Sequence, residues 1–126
     1  MILLNDFFSI SNKEFSPTEI WAELFINADH KIFEGHFPGQ PVVPGVCQMQ
    51  MIKEIVEQVI GKETDLTSAV DMKFLAVIDP QRNNLVHATI KYDVDESGLI
   101  KIVASIYKDE LVHFKCKAQL RCLATK

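Results

Sequence analysis

The side chains best able to do chemistry fall in one run, Gly35-His36-Phe37-Pro38-Gly39-Gln40-Pro41-Val42-Val43-Pro44-Gly45-Val46. Its prolines fix some backbone angles and its glycines open others that residues with a Cβ avoid, so the run reads as a rigid loop built to place something. His36 is the one side chain in it that exchanges a proton near neutral pH, with a reference pKa of about 6.5 that suits a general base or acid. Pro44-Gly45 reads as a first helical turn with proline at N1, where a missing N–H loses no hydrogen bond. The Gly45 N–H is then an unpaired donor at the positive end of a helix, and the absence of a side chain lets a ligand carbonyl approach. A base and an oxyanion donor thus converge on one small space. Farther along the same helix, Gln50 offers an amide, which can hydrogen-bond a hydroxyl or a water but cannot deliver a proton as a carboxylic acid does.

The Gly35-to-Gly39 block, followed by Pro41 and Pro44-Gly45-Val46, resembles the signature of the beta-hydroxyacyl-acyl carrier protein dehydratases of fatty acid synthesis. The resemblance covers nearly the whole chain. It implies an α+β hot-dog fold, a long central helix wrapped by an antiparallel β-sheet, forming one domain over residues 1–126. It further implies dehydration of a (3R)-3-hydroxyacyl thioester, carried on acyl carrier protein or coenzyme A, to the trans-2-enoyl thioester. His36 takes the role of base and the Gly45 N–H that of oxyanion donor, while Val46, Phe37 and Phe33 contact the substrate. The family brings its histidine and a helix-borne Glu or Asp together across a dimer interface, so a homodimer or a trimer of dimers is expected. The acid's position is held here by Gln50, the main departure from the pattern.

Three readings follow from that departure. In the first the protein is a dehydratase in which the His36 imidazolium itself returns the proton to the leaving hydroxyl. A variant notes that the family often reads Glu-Ala-Met-Ala-Gln from the acid onward, whereas this chain reads Gln50-Met51-Ile52-Lys53-Glu54, as if acid and amide were exchanged. Glu54, one turn on, then reaches toward the site directly or through water; the competing view has it facing solvent or pairing with Lys53 or Gln58. The second reading is a hot-dog acyl thioesterase, and the third a non-catalytic acyl-binding subunit whose partner brings the acid.

At 126 residues the chain suits one domain, and 48% hydrophobic against 24% charged residues is the balance of an ordinary soluble globular protein. A net charge of −4 argues against nucleic acid as a partner. Lys115, Lys117 and Arg121 alternate along one strand, either as a solvated face or as a basic patch for an acidic carrier protein. The N-terminus lacks the basic region of a signal peptide and no segment reaches membrane-spanning length, so a cytoplasmic protein with no membrane association is expected. Cys47, Cys116 and Cys122 form no CxxC pair and suit a reducing compartment, with Cys47 read as apolar packing. No His/Cys/Asp cluster has metal-ligand spacing, and no cofactor is suggested.

The elements that must hold the site follow from periodicity. Phe7 and Phe8 read as a plug for one end of the core, and Ser11-Asn12-Lys13 and Ser16-Pro17 as loop. Ile20 to Asn27 alternates as a strand. A helix runs from about Pro44 to Ile60, stopped by Gly61, with Met49, Met51, Ile52, Ile55, Val56, Val59 and Ile60 on its apolar face. Gln48 falls on that face, either hydrogen-bonded in the core or lining a tunnel. From residue 66 a β-meander follows, with turns at 79–84, Asp95-Glu96-Ser97-Gly98 and Lys108-Asp109-Glu110. His30, His87 and His113 read as surface or strand residues.

Overall fold

A computed structural model of the chain describes residues 2–35 and 41–123. One six-stranded antiparallel sheet curls around one long helix, the hot-dog arrangement. The elements run β1 (Phe8–Phe15), β2 (Glu19–Ile26), α1 (Ile32–Gly35), α2 (Gly45–Ile60), β3 (Thr64–Phe74), β4 (Leu85–Val94), β5 (Leu99–Lys108) and β6 (Leu111–Cys122). Across the sheet the order is β1-β2-β4-β5-β6-β3, so β2 pairs with β4 and the chain between them, α2 and β3 included, is folded across.

The four inner strands obey the period of two that their sequences show. Ile20, Ala22, Leu24 and Ile26 of β2 are buried, as are Val86, Ala88 and Ile90 of β4, Ile100, Ile102 and Ile106 of β5, and Phe114, Cys116, Ala118 and Leu120 of β6. Against them α2 sets Cys47, Met51, Ile52, Ile55 and Val56, each without exposed surface. Full burial of one such aliphatic side chain contributes about 2 kcal/mol. Gly61 ends α2 in the left-handed region at φ 71°, where a Cβ would be strained, and its N–H closes onto the Glu57 carbonyl at 2.9 Å. Glu57 also receives the Thr64 N–H at 2.6 Å and Lys53 at 3.2 Å, which fixes where β3 starts.

Three expectations change. Residues 11–13 are strand, not loop: β1 pairs with β2 from Phe8↔Ile26 to Phe15↔Ile20, with a bulge at Ser11. The polar run Ser11-Asn12-Lys13 hid it, because an edge strand facing water needs no apolar alternation. Two strands therefore precede the helices rather than one. Phe7 and Phe8 are buried as expected. Pro44 stands one position earlier than its assignment as N1; it is the N-cap, extended at φ −60° and ψ 147°, and Gly45 is the first helical residue.

β3 departs most. Its alternation of Val70, Met72 and Phe74 with polar residues suggests one packed face, yet every residue after Thr64 is exposed. It lies at the sheet edge, paired only with β6 and bulged twice, and α2 meets it at its two ends, through Thr64 and Phe74. Val70 is 66% exposed, Phe74 53% and, just past the strand, Val77 72%. No helix among the described residues is long and apolar enough to cross a membrane.

Candidate functional site

The start of α2 is built by the segment 41–44. The Val43 N–H donates to the Ile78 carbonyl at 2.9 Å, pinning this segment to the loop after β3. Pro44 cannot cap the helix with a side chain, and its carbonyl instead takes the N–H of Cys47 and of Gln48. As the first helical residue, Gly45 has an N–H with no acceptor inside the helix, aimed back along the axis at the positive pole.

Why position 45 is glycine has a further explanation in the fold. A Cβ built there lies 2.7 Å from two ring carbons of Phe74, so the ring covers the Cα face of Gly45. Phe74 in turn stacks on buried Phe114 with centroids 5.1 Å apart. A side chain at 45 must displace a ring held from behind. Gly45→Val is therefore expected to lower unfolding free energy by about 2 kcal/mol, the usual cost of overpacking, measured as a drop in denaturation midpoint.

His36 and Phe37 lie outside the described residues. Phe33 is 8% exposed and packs on Phe7 with ring centroids 5.6 Å apart, a core contact at the foot of the loop. Val46, by contrast, is 68% exposed beside Gly45, available to a ligand or to a second chain. Gln48 is buried and donates its amide to the Val43 carbonyl at 3.3 Å, while its Oε1 has no partner. It belongs to the hydrogen-bonded core, with one acceptor in reserve. Cys47 is fully buried, and burial raises its thiol pKa, so its place near a helix start does not activate it.

Gln50 and Gly45 do not meet within one chain. Five residues along a helix turn the side chain by roughly 140°, and the two face different neighbours. Gly45 faces Phe74, whereas Gln50 opens on a polar groove of about 580 Å³ that Ile2, Leu4, Lys53, Glu54 and Glu57 also line.

Both readings of Glu54 need correction. It neither faces solvent nor pairs with Lys53 or Gln58, and it is not free to reach a substrate. It is 5% exposed, and its carboxylate takes the Leu3 N–H on both oxygens at 2.9 Å, the Leu4 N–H on Oε1 at 2.8 Å and the Gln50 Nε2 on Oε2 at 2.9 Å. The N-terminal segment folds over this part of α2 and supplies the donors a buried carboxylate requires. Helical periodicity placed Glu54 on the polar face and could not show that the first residues of the chain cover it.

Of the other histidines, His30 contacts Asp6 at 3.1 Å and His87 lies between the rings of Trp21 and Tyr107 on the outer sheet face. His113 is buried; its Nδ1 faces the Ala76 carbonyl at 3.1 Å and its Nε2 has no partner. Lys115, Lys117 and Arg121 are exposed on β6. Among the described residues no group of three His, Cys, Asp or Glu side chains could hold a metal ion.

A family model described as ApeI-like, ApeI dehydratase, matches residues 11–105. The chain is 28% identical over 102 residues to the 3-hydroxyacyl-[acyl-carrier-protein] dehydratase FabZ of Lactobacillus helveticus, covering 75% of this chain and 66%, just under two thirds, of that one. It is 25% identical over 113 residues to the FabZ of Latilactobacillus sakei, covering 84% of this chain and 78% of that one. Among solved structures, the dehydratase heterocomplex ApeI:P from Xenorhabdus doucetiae superposes with a TM-score of 0.71 at 22% identity, over 89% of this chain and 96% of that one.

Proposed function

The chain belongs to the ApeI-like dehydratase family, and from that premise we propose that it converts a (3R)-3-hydroxyacyl thioester on acyl carrier protein to the trans-2-enoyl thioester, as a homodimer in the cytoplasm. The observation that carries this reading is the helix start at Gly45, whose outward N–H comes nine residues after His36 in the sequence. In the reaction His36 takes a proton from C2, and charge develops on the thioester oxygen against the Gly45 N–H. The C3–O bond then breaks. Because an amide at position 50 has no proton to give, the imidazolium of His36 returns the one it took, and the hydroxyl leaves as water.

Two features support the dimer. Gly45 and Gln50 of one chain point apart, so a site that uses both draws them from different chains. The exposed apolar residues of β3 also sit on a free strand edge, which a second copy would cover.

A second reading is favoured by one residue. Gln50 stands where the family carries its acid, and the structurally similar ApeI:P is a heterocomplex; a different dehydratase subunit would then supply the acid to a chain inactive by itself. Incubating the purified chain with 3-hydroxyacyl and saturated acyl thioesters separates the cases. Enoyl absorbance from the first substrate supports the homodimeric dehydratase, thiol release from the second identifies a thioesterase, and neither product from a folded chain supports the heteromeric reading.

A further inference from the structure

We infer that the outer face of the sheet, turned away from α2, carries a second site: a groove that takes a nucleoside diphosphate, with the base on Trp21 and the phosphates on Lys73, Lys115 and Lys117. It is independent of the reaction proposed above, because it uses the opposite face of the strands.

Strand register sets six side chains in one row across all six strands. Glu14 stands opposite Trp21, Trp21 opposite Thr89, Thr89 opposite Ser105, Ser105 opposite Lys115, and Lys115 opposite Lys73. The inner four point outward, since Ala22, Ile90, Ala104 and Cys116 beside them are buried on the helix side. All six line one groove of about 810 Å³, a volume within the range of small-molecule sites.

The row is graded in chemistry. One end holds a carboxylate and an indole, which His87 steadies by stacking on it with centroids 5.6 Å apart. The middle holds the Thr89 and Ser105 hydroxyls, 2.9 Å from each other. At the far end Lys73 and Lys115 face each other directly, an unfavourable pairing of like charges, and exposed Lys117 projects beside them. Asp71, opposite Lys117, reaches the Lys73 ammonium at 3.9 Å. Among the described residues no carboxylate lies within ion-pair distance of Lys115 or Lys117. A positive excess is therefore left at this end, and an anion of more than one charge relieves it.

Strands about 4.8 Å apart put Lys115 about 14 Å from Trp21, the span from a base to the second phosphate of its nucleotide. The base stacks on the indole and donates to Glu14, the sugar exchanges hydrogen bonds with the two hydroxyls, and the diphosphate bridges the lysines. A fatty acid would leave Glu14 and both hydroxyls unmatched. Inorganic phosphate would leave the indole unused.

Trp21 is the only tryptophan of the chain, so its fluorescence, excited where adenine does not absorb, reports on this groove. ADP is expected to change it saturably. Adenosine, and pyrophosphate read by competition, each keep part of the contacts and should bind at least about tenfold more weakly. Lys115→Glu separates binding from folding. It ends the opposition to Lys73, so the denaturation midpoint without ligand should hold or rise, while affinity for ADP falls at least about tenfold, the worth of one charged hydrogen bond. Three results overturn the inference: no saturable change with ADP, adenosine or pyrophosphate binding as tightly as ADP, or unchanged ADP affinity in Lys115→Glu. A free nucleotide and the nucleotide end of coenzyme A share this chemistry; titrated side by side, the tighter of the two names the source and either upholds the site. No turnover is measured, so a failure of the dehydratase reading leaves this test intact.

Discussion

His36→Ala is expected to lower kcat/KM for enoyl formation by at least about a hundredfold. A positioned base contributes about 10² to 10⁴ to a proton transfer, and in the proposed reaction the imidazole serves twice. It removes the C2 proton and, because residue 50 is an amide, it alone returns that proton to the departing hydroxyl. Where an acid shares the work, loss of the histidine leaves half of the proton traffic in place; here none is left. Following enoyl absorbance with 3-hydroxyacyl substrate, next to a denaturation curve for the same variant, separates lost chemistry from lost fold. Activity within tenfold of wild type in a folded His36→Ala variant would remove the histidine from the reaction.

The second large effect lies far from that loop in sequence. Val70→Lys, on the free edge of β3, is expected to turn the proposed dimer into a monomer and to abolish turnover with it. In the single chain Val70 is already 66% exposed and touches no core, so a lysine there costs the isolated fold little. At an interface the same lysine must bury an ammonium against Met72, Phe74, Val77 and their copies. A loss of about 2 kcal/mol or more, roughly thirtyfold in dimer dissociation constant, is the usual result of spoiling an interface centre. In the proposed dimer the site takes Gly45 from one chain and Gln50 from the other, so activity falls with the dimer. Light scattering and turnover measured on the same samples check it. A fully active monomer would show that one chain suffices, and an unperturbed dimer would move the interface elsewhere.

Much of this was legible in the residues themselves. The strands β2, β4, β5 and β6 announce their buried faces by strict alternation, and the turns at Gly98 and Asp109, both at positive φ, fall where the polar clusters put them. The long helix ends at Gly61 for the reason its sequence gives. Elements at the sheet margins were harder. β1 carries Ser11, Asn12 and Lys13 because an edge strand has only one partner and little to bury. β3 alternates as if it had a packed side, yet within a single chain those residues stay largely exposed, even with Phe74 stacked on Phe114. Within the site, the helix start at Gly45 could be read from Pro44-Gly45, since proline and glycine act locally. The burial of Glu54 could not, because its partners Leu3 and Leu4 lie about fifty residues away and join through backbone groups that every residue type carries. Phe74 over Gly45 is likewise a contact that only the closed sheet creates.

The strand order has a consequence for how the protein comes into being. The meander of β4, β5 and β6 pairs neighbours in sequence and can assemble as a local unit, but the β1–β2 hairpin must wait for Leu85–Val94 before it has a sheet to join. The β1–β2 hairpin leaves the ribosome before β4 and is thus among the last parts of this fold to find its permanent place. Until then β2 shows Ile20, Leu24 and Ile26 to the solvent, and the nascent chain carries its greatest risk of clumping early, before the C-terminal half arrives to rescue it.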